Sequence, residues 1–380
     1  MKIVADENMP IVEALFGELG VVTRVPGRLM TPEDVKDADI LLVRSVTKVN
    51  QDLLAGSSVK YVGTATIGTD HIDQTYLKDA NIGFSNAPGC NAQSVVDYVI
   101  SALVCLCQDE ERLMKDLTVG VVGAGNVGSR LIQRLKKLGL KVIAYDPFVE
   151  NEDLPLATLD EVLACDVVSL HVPLTTEGEY PTLHLIDEPA LNAMQDSAIL
   201  INSSRGPVVN NESLKQHLKA RVNFKVVLDV WETEPEVDRE LLDLVDLGTA
   251  HIAGYSLDGK YNGTFQIYES VCKFLGLPMR KRLPQMLPEP DLVHVGFASG
   301  ANFDEVFPRL VQVAYDIRRD DRLLRRAIAK STKISESFDW LRKNYPERRE
   351  FSSLSVKVRR NDVTTTAMYE AAGFKVKVKS

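Results

Sequence analysis

The sequence predicts an α/β protein with doubly wound parallel sheets. Three observations carry this reading. Short, apolar, β-branched runs alternate with helical stretches along most of the chain. One of these runs leads into Gly123-Ala-Gly-Asn-Val-Gly128, a glycine pattern set between a strand and a helix. The last part of the chain departs from the alternation in both charge and pattern. With 380 residues, 45% apolar and 26% charged, there is room for two or three globular domains.

The first strands are expected at Ile3-Val4, Val21–Val25, Ile40–Val43, Tyr61-Val62 and Gly83-Phe84, with helices between them. They form a first, smaller α/β unit. Residues 95–107 are apolar but contain Asp97 and are too few to span a bilayer, so they read as part of a buried helix from about 92 to 107. This helix leads out of the first unit into a second. Residues 117–122 read as a buried parallel strand, 129–138 as a helix that Gly139 ends, and 141–145 as the next strand. Residues 255–280 are expected to return as helix to the first unit. That unit is then discontinuous, and a cleft is expected between the two.

The glycine pattern carries chemistry. Gly123 permits the tight turn, Gly125 lets a pyrophosphate approach the backbone, and Gly128 packs helix on strand. Asn126 and Val127 complete the loop, and the positive end of the following helix faces the phosphates. Asp146 ends the next strand, about 20 residues after the first glycine, where an acid accepts the ribose hydroxyls. Pro147 and Phe148 follow it, with no adjacent arginine for a 2′-phosphate, which favours NAD over NADP. This is a Rossmann cofactor domain. The bland alternative is a glycine-bearing turn and a surface aspartate.

Composition narrows the rest. A net charge of −9 argues against general nucleic-acid binding, and no membrane partner is expected. Cys90, Cys105, Cys107, Cys165 and Cys272 show neither zinc nor redox spacing, so no metal is expected and the simple reading is a reduced, cytoplasmic protein. The N-terminus opens on a strand running into acids and does not read as a signal peptide. Leu283-Pro-Gln-Met-Leu-Pro-Glu-Pro290 reads as a linker. From residue 286 the chain holds 18 Lys and Arg against 13 Asp and Glu, so a basic C-terminal module of about 286–380 follows an acidic body. Its first half is helical in pattern around 303–326, and two β-like runs follow at 353–358 and 374–378. Its basic excess reads as a solvated surface, or as one facing phosphate or another subunit.

A nicotinamide cofactor that takes a hydride from a hydroxyl-bearing carbon needs a base for the hydroxyl proton and a cation for a substrate carboxylate. Arg205, Glu234 and His251 supply that set in one stretch. Arg205 follows the strand expected at 198–202, at a strand C-terminal end, where a guanidinium can hold a carboxylate in two-point fashion. His251 has the near-neutral chemistry of an acid/base. A glutamate beside it fixes its tautomer, and Glu232 competes with Glu234 for that role. The competing readings are a surface ion pair, a core histidine and a solvated loop glutamate. His71, His171, His184, His217 and His294 have no comparable context, although His171 lies where it could line the cofactor cleft.

The chain resembles the D-isomer-specific 2-hydroxyacid dehydrogenases over roughly residues 1–280. The resemblance rests on Asn86-Ala-Pro-Gly-Cys-Asn-Ala92, the glycine pattern, Ser169-Leu-His-Val-Pro-Leu-Thr175 and Ile201-Asn-Ser-Ser-Arg-Gly-Pro-Val-Val209. Asp229-Val-Trp-Glu-Thr-Glu-Pro235 and Thr249-Ala-His-Ile-Ala-Gly254 complete it. It implies a flavodoxin-like substrate domain at 1–91 and 255–285 and an NAD-binding domain at 92–254. It implies Arg205, Glu234 and His251 as the catalytic set, with Glu234 chosen over Glu232. It adds Thr175, Asp229 and Gly254 as cofactor contacts, and Arg44, Ser45, Thr66 and Tyr255 as substrate contacts. One subfamily carries an additional C-terminal dimerisation domain, which the α+β module at 286–380 resembles, and Tyr255-Ser-Leu-Asp-Gly259 is similar to that subfamily too. The implied reaction is NAD-dependent oxidation of a four-carbon 2-hydroxy acid carrying a distal phosphate, a step in pyridoxal phosphate synthesis, by a homodimer. Two alternatives remain open on the residues: a dehydrogenase for another acid such as 3-phosphoglycerate, and an NAD(H)-sensing, corepressor-like protein.

Overall fold

The computed structural model describes residues 1–298, 301–359 and 363–379. Its packing divides it into two compact units, Met1–Asn91 with Ser256–Glu289, and Ala92–Tyr255 with Pro290–Ser380.

In the first unit, β1 (Lys2–Asp6), β2 (Val21–Val25), β3 (Ile40–Val43), β4 (Tyr61–Thr64) and β5 (Gly83–Ser85) are all parallel, in the order β2-β1-β3-β4-β5. This is the doubly wound flavodoxin-like order. Alternate residues serve opposite faces, as the two-residue period of a strand requires. Ile3, Ala5, Ile40 and Leu42 pack with Leu15, Phe16, Ile267 and Val271. Val4, Leu41, Val43 and Val62 pack on the other side with Leu53, Leu54 and Leu77. Ile267 and Val271 belong to the helix Leu257–Phe274, whose first turn is capped by Ser256 Oγ accepting from Gly259 N at 2.8 Å. This is the helix expected to return after residue 255.

The second unit holds β6 (Thr118–Val122), β7 (Lys141–Tyr145), β8 (Val167–Leu170), β9 (Ile199–Asn202), β10 (Lys225–Leu228) and β11 (Leu247–Gly248), again parallel, in the order β11-β10-β9-β8-β6-β7. Strand order reverses between β6 and β8, so the loops after these two strands form the crevice where this architecture takes its ligand. One face of the sheet is covered by the buried helix Ala92–Asp109 and by Leu131, Ile132 and Leu135 of the helix Gly128–Lys137. Val122, Val168, Leu200 and Val226 line the other face.

The segment past residue 290 has a sheet of its own: β12 (His294–Gly296), β13 (Ser355–Arg359) and β14 (Lys375–Lys379), parallel in that order. The two β-like runs read from the sequence are β13 and β14. The short β12, just after the prolines, had no pattern of its own. The segment does not close on itself. Val306, Phe307, Leu310 and Val311, from the helix Phe303–Ala314, share a core with Leu103, Val121 and Leu135. Leu324, Ile328 and Phe338 join Val226, Trp231 and Leu241 on the opposite face. A three-stranded sheet with four helices has little interior, and it gains burial by borrowing the larger core. Proline and charge mark where the segment begins in sequence but not which apolar surface it covers. Among the described residues no helix is long and apolar enough to cross a membrane.

Asp97 is the polar anchor of this shared core. It is 2% exposed inside the helix Ala92–Asp109. Arg134 pairs with its Oδ1 and Phe351 N donates to its Oδ2 at 2.8 Å, so three distant stretches meet on one carboxylate. Removing one member of a buried pair leaves the other charge uncompensated. Asp97→Ala is expected to lower the unfolding free energy by about 3–5 kcal/mol in urea titration, and an unchanged midpoint would contradict this.

Candidate active site

The glycine loop follows β6. Gly123 has φ +91°, and a Cβ there would meet His171 O at 2.8 Å. A Cβ at Gly128 would lie 1.8 Å from Gly123 O. A Cβ at Gly125 would meet nothing within 4 Å, and the residue is exposed. Gly123 and Gly128 are therefore required by the fold itself, whereas Gly125 is small for something outside it. No side chain caps the helix Gly128–Lys137, so its N-terminal N–H groups and the half-buried Val127 before it remain oriented toward the loop. Asn126 is exposed on the same loop. Asp146, ending β7, braces the loop: its Oδ2 accepts from Ala124 N at 2.8 Å and its Oδ1 from Phe148 N at 3.1 Å. Each oxygen keeps lone-pair capacity for a ribose hydroxyl. These features fit a dinucleotide.

His171 follows β8 at the same reversal point. Its N–H donates to Val122 O at 2.7 Å and its Nε2 pairs with Ser169 Oγ at 2.9 Å. Burial pushes its pKa down to about 3, so it is neutral at neutral pH. Thr175 lies farther along this loop, its hydroxyl 3.2 Å from Thr182 Oγ1 and its N–H donating to that oxygen at 2.8 Å.

Arg205, Glu234 and His251 follow β9, β10 and β11, which are neighbours in the sheet. The Arg205 loop is held by Asn202, fully buried, whose Nδ2 donates to Arg205 O at 2.9 Å. Arg205 Nη1 donates to Ser204 O at 2.8 Å, and the guanidinium is half-exposed. Among the described residues no carboxylate pairs with it. A Cβ at Gly206 would lie 2.0 Å from Trp231 O, so the backbone after Arg205 presses directly on the loop that carries Glu234.

Glu234 Oε1 and His251 Nδ1 are 2.6 Å apart, and Glu234 Oε2 accepts from Trp231 N at 3.2 Å. Burial raises the Glu234 pKa, but the His251 bond and charge, the Trp231 N–H and the Arg342 charge outweigh it and hold the carboxyl below its ordinary value. Glu234 is therefore ionised at neutral pH. A carboxylate accepts, so His251 Nδ1 carries the hydrogen and Nε2 is left as the basic nitrogen. Glu232, the competitor in sequence, lies 2.5 Å from His184 Nε2 and accepts from Asn211 N at 2.9 Å. His184, without comparable context in the sequence, thus has a glutamate partner, a pairing that no local signal announces.

His251 has φ +54°, in the left-handed region that a histidine occupies at a cost. Asp229, 1% exposed after β10, holds it there. Its Oδ1 accepts from Thr249 Oγ1 at 2.6 Å and Ile252 N at 2.7 Å, its Oδ2 from Ala253 N at 2.9 Å, and its carbonyl from His251 N at 2.7 Å. Much of the acceptor capacity of Asp229, expected to serve the cofactor, is spent on the histidine loop. Gly254 is half-buried at the end of that loop. Tyr255 Oη accepts from Arg342 Nη2 at 3.1 Å, a neighbour nearly ninety residues away that no motif announces.

Arg44, Ser45 and Thr66 lie in the first unit, after β3 and β4. Arg44 is half-buried and Ser45 exposed. Thr66 Oγ1 donates to Gly68 O at 2.8 Å and sits 2.8 Å from Thr64 Oγ1.

Residues 107–253 match the family described as D-isomer specific 2-hydroxyacid dehydrogenase, NAD binding domain, and residues 286–371 match a domain of unknown function. The chain is 48% identical to the erythronate-4-phosphate dehydrogenase of Marinobacter nauticus, covering 100% of both chains. It is 49% identical to that of Photorhabdus laumondii, covering 94% of both. The chain belongs to the erythronate-4-phosphate dehydrogenase family. Among solved structures it is similar to a D-lactate dehydrogenase from Aquifex aeolicus complexed with NAD and lactic acid, with TM-score 0.60 and 26% identity over 72% of this chain and 95% of that one. It is also similar to the NAD+-bound 3-phosphoglycerate dehydrogenase of Entamoeba histolytica, with TM-score 0.62 and 25% identity over 73% of this chain and 95% of that one. Both neighbours cover about three quarters of the chain. As a member of the erythronate-4-phosphate dehydrogenase family the protein is an NAD-dependent oxidoreductase on a Rossmann fold.

Two glycine variants separate fold from cofactor binding. Gly125→Ala is expected to keep the wild-type melting temperature and weaken NADH binding at least about tenfold by fluorescence titration. Gly128→Ala is expected to lower the melting temperature itself. Equal NADH affinity in Gly125→Ala would remove the pyrophosphate from this loop.

Proposed function

We propose that the protein oxidises 4-phospho-D-erythronate at C2 to the 2-oxo-4-phospho acid, a step toward pyridoxine 5′-phosphate. The observation that carries this reading is the 2.6 Å Glu234–His251 pair on the loops after β10 and β11, with Arg205 on the loop after the neighbouring β9 paired to no carboxylate among the described residues. NAD, when bound, supplies the hydride acceptor. His251 Nε2 takes the C2 hydroxyl proton. Glu234 fixes the opposite tautomer and stabilises the imidazolium that results. Arg205, with Nη1 on Ser204 O, offers its remaining edge to the substrate carboxylate and polarises the C2 oxygen. In the reverse direction His251 returns the proton to the 2-oxo group.

We assign the cofactor to Gly123, Gly125, Asn126, Val127, Gly128, Asp146, Thr175, Asp229 and Gly254. Arg44, Ser45, Thr66 and Tyr255 complete the substrate contacts. Identity of 48% and 49% over nearly the whole chain with relatives named erythronate-4-phosphate dehydrogenase supports the four-carbon acid over a three-carbon one. We further propose a cytoplasmic homodimer joined through residues 286–380, which the resemblance of that segment to a dimerisation domain implies.

The test is NADH absorbance on mixing protein, NAD and 4-phospho-D-erythronate, with 3-phosphoglycerate in parallel and the 2-oxo acid with NADH as the reverse reaction. Turnover selective for the four-carbon acid is expected. Turnover of 3-phosphoglycerate alone would keep the mechanism and reject the substrate, and NADH binding without turnover of either would reject the enzyme.

A further inference from the structure

Arg342 lies in the stretch matched by a domain of unknown function. It lies in the helix Ile334–Lys343 and is half-buried. Among the described residues no carboxylate pairs with it. Its Nη2 donates to Tyr255 Oη at 3.1 Å, and its guanidinium carbon lies 5.6 Å from the Tyr255 ring centre and 6.0 Å from that of Phe338. Its Nε is buried with no hydrogen bond. Burial works against its charge, but Tyr255 and the Glu234 and Asp229 carboxylates outweigh this and raise its pKa. Neither carboxylate is available as a direct partner, since Glu234 holds His251 and Trp231, and Asp229 holds the histidine loop.

Arginine has five donors and no acceptor. A guanidinium that faces two rings and one phenol, with its buried Nε unbonded, leaves donors unused, and buried donors are normally satisfied by acceptors. Tyr255 follows directly on the loop that carries His251, so the pair stands next to the acid/base.

The reaction proposed above brings two anions, a carboxylate and a distal phosphate, and Arg205 serves the first. We propose that Arg342, together with Tyr255, receives the distal phosphate of the substrate. The C-terminal segment is then a working part of the substrate site. This inference rests on the phosphorylated hydroxy-acid reading.

The experiment compares wild type, Arg342→Met, Arg342→Lys and Tyr255→Phe, each checked for an unaltered melting temperature. Loss of charge-assisted hydrogen bonds predicts a KM for 4-phospho-D-erythronate raised about 10- to 100-fold in Arg342→Met. The KM for NAD should stay at the wild-type value. Inorganic phosphate, as a competitive inhibitor, should weaken by the same factor, and Arg342→Lys should recover part of the loss. In the double variant with Tyr255→Phe the two losses should be less than additive. A raised KM with unchanged phosphate inhibition would overturn the phosphate assignment, as would a wild-type KM in Arg342→Met. If Arg342→Met is unstable, Arg342→Lys with wild-type KM and phosphate inhibition overturns it equally. Wild-type protein that turns over neither acid would overturn the underlying reading and this inference with it, whereas active wild type with an unaltered variant overturns this inference alone.

Discussion

The Asp229 carboxylate is the constraint on which the site depends. A carboxylate at 1% exposure is costly unless its oxygens are satisfied, and here the donors are the backbone and hydroxyl of the histidine loop. Its carbonyl takes the His251 N–H as well. These bonds offset the left-handed backbone at His251 and set its ring on Glu234. Thr249 extends the network: its hydroxyl lies 2.8 Å from Tyr98 Oη, and its carbonyl accepts from Trp231 Nε1 at 2.9 Å. The loop that carries the acid/base is thus tied to the central helix, to β10 and to the loop that carries Glu234.

The same economy explains why three separate loops converge. Parallel strands end together, so residues after β9, β10 and β11 emerge at one edge whatever their separation in sequence. Gly206 allows the Arg205 backbone to lie against Trp231, and Trp231 N in turn binds Glu234. Rigid strand ends and short loops provide the positioning that acid/base transfer needs. Because Glu234 is ionised and bound to Nδ1, the histidine presents one defined nitrogen to the substrate.

Much of this was legible in the chain, and the reasons are local. The five strands of the first unit and the strand–glycine–helix turn follow from two-residue and helical periodicities that need no tertiary knowledge. Gly123, Gly125 and Gly128 announce themselves by their spacing between a strand and a helix, Gly123 for its left-handed backbone, Gly128 for close packing and Gly125 for the space it leaves open. What escaped depends on contacts between distant stretches. Nothing near Arg342 points to Tyr255, nothing near His184 points to Glu232, and Asp229 looks like a ligand contact until the loop folding back onto it is seen. The proline-marked boundary near residue 290 is real in sequence, yet Phe307 and Phe338 bury themselves in the core of the preceding domain. Charge and proline report where a chain can bend; they do not report what its apolar faces cover.

The acid/base role of His251 is the central claim, and one comparison tests it most directly: turnover and NADH affinity measured on the same preparation of His251→Ala. A kcat lowered about 10²- to 10⁴-fold with NADH binding retained is the predicted result. Turnover close to wild type would contradict the account, because a group other than His251 would then be taking the hydroxyl proton.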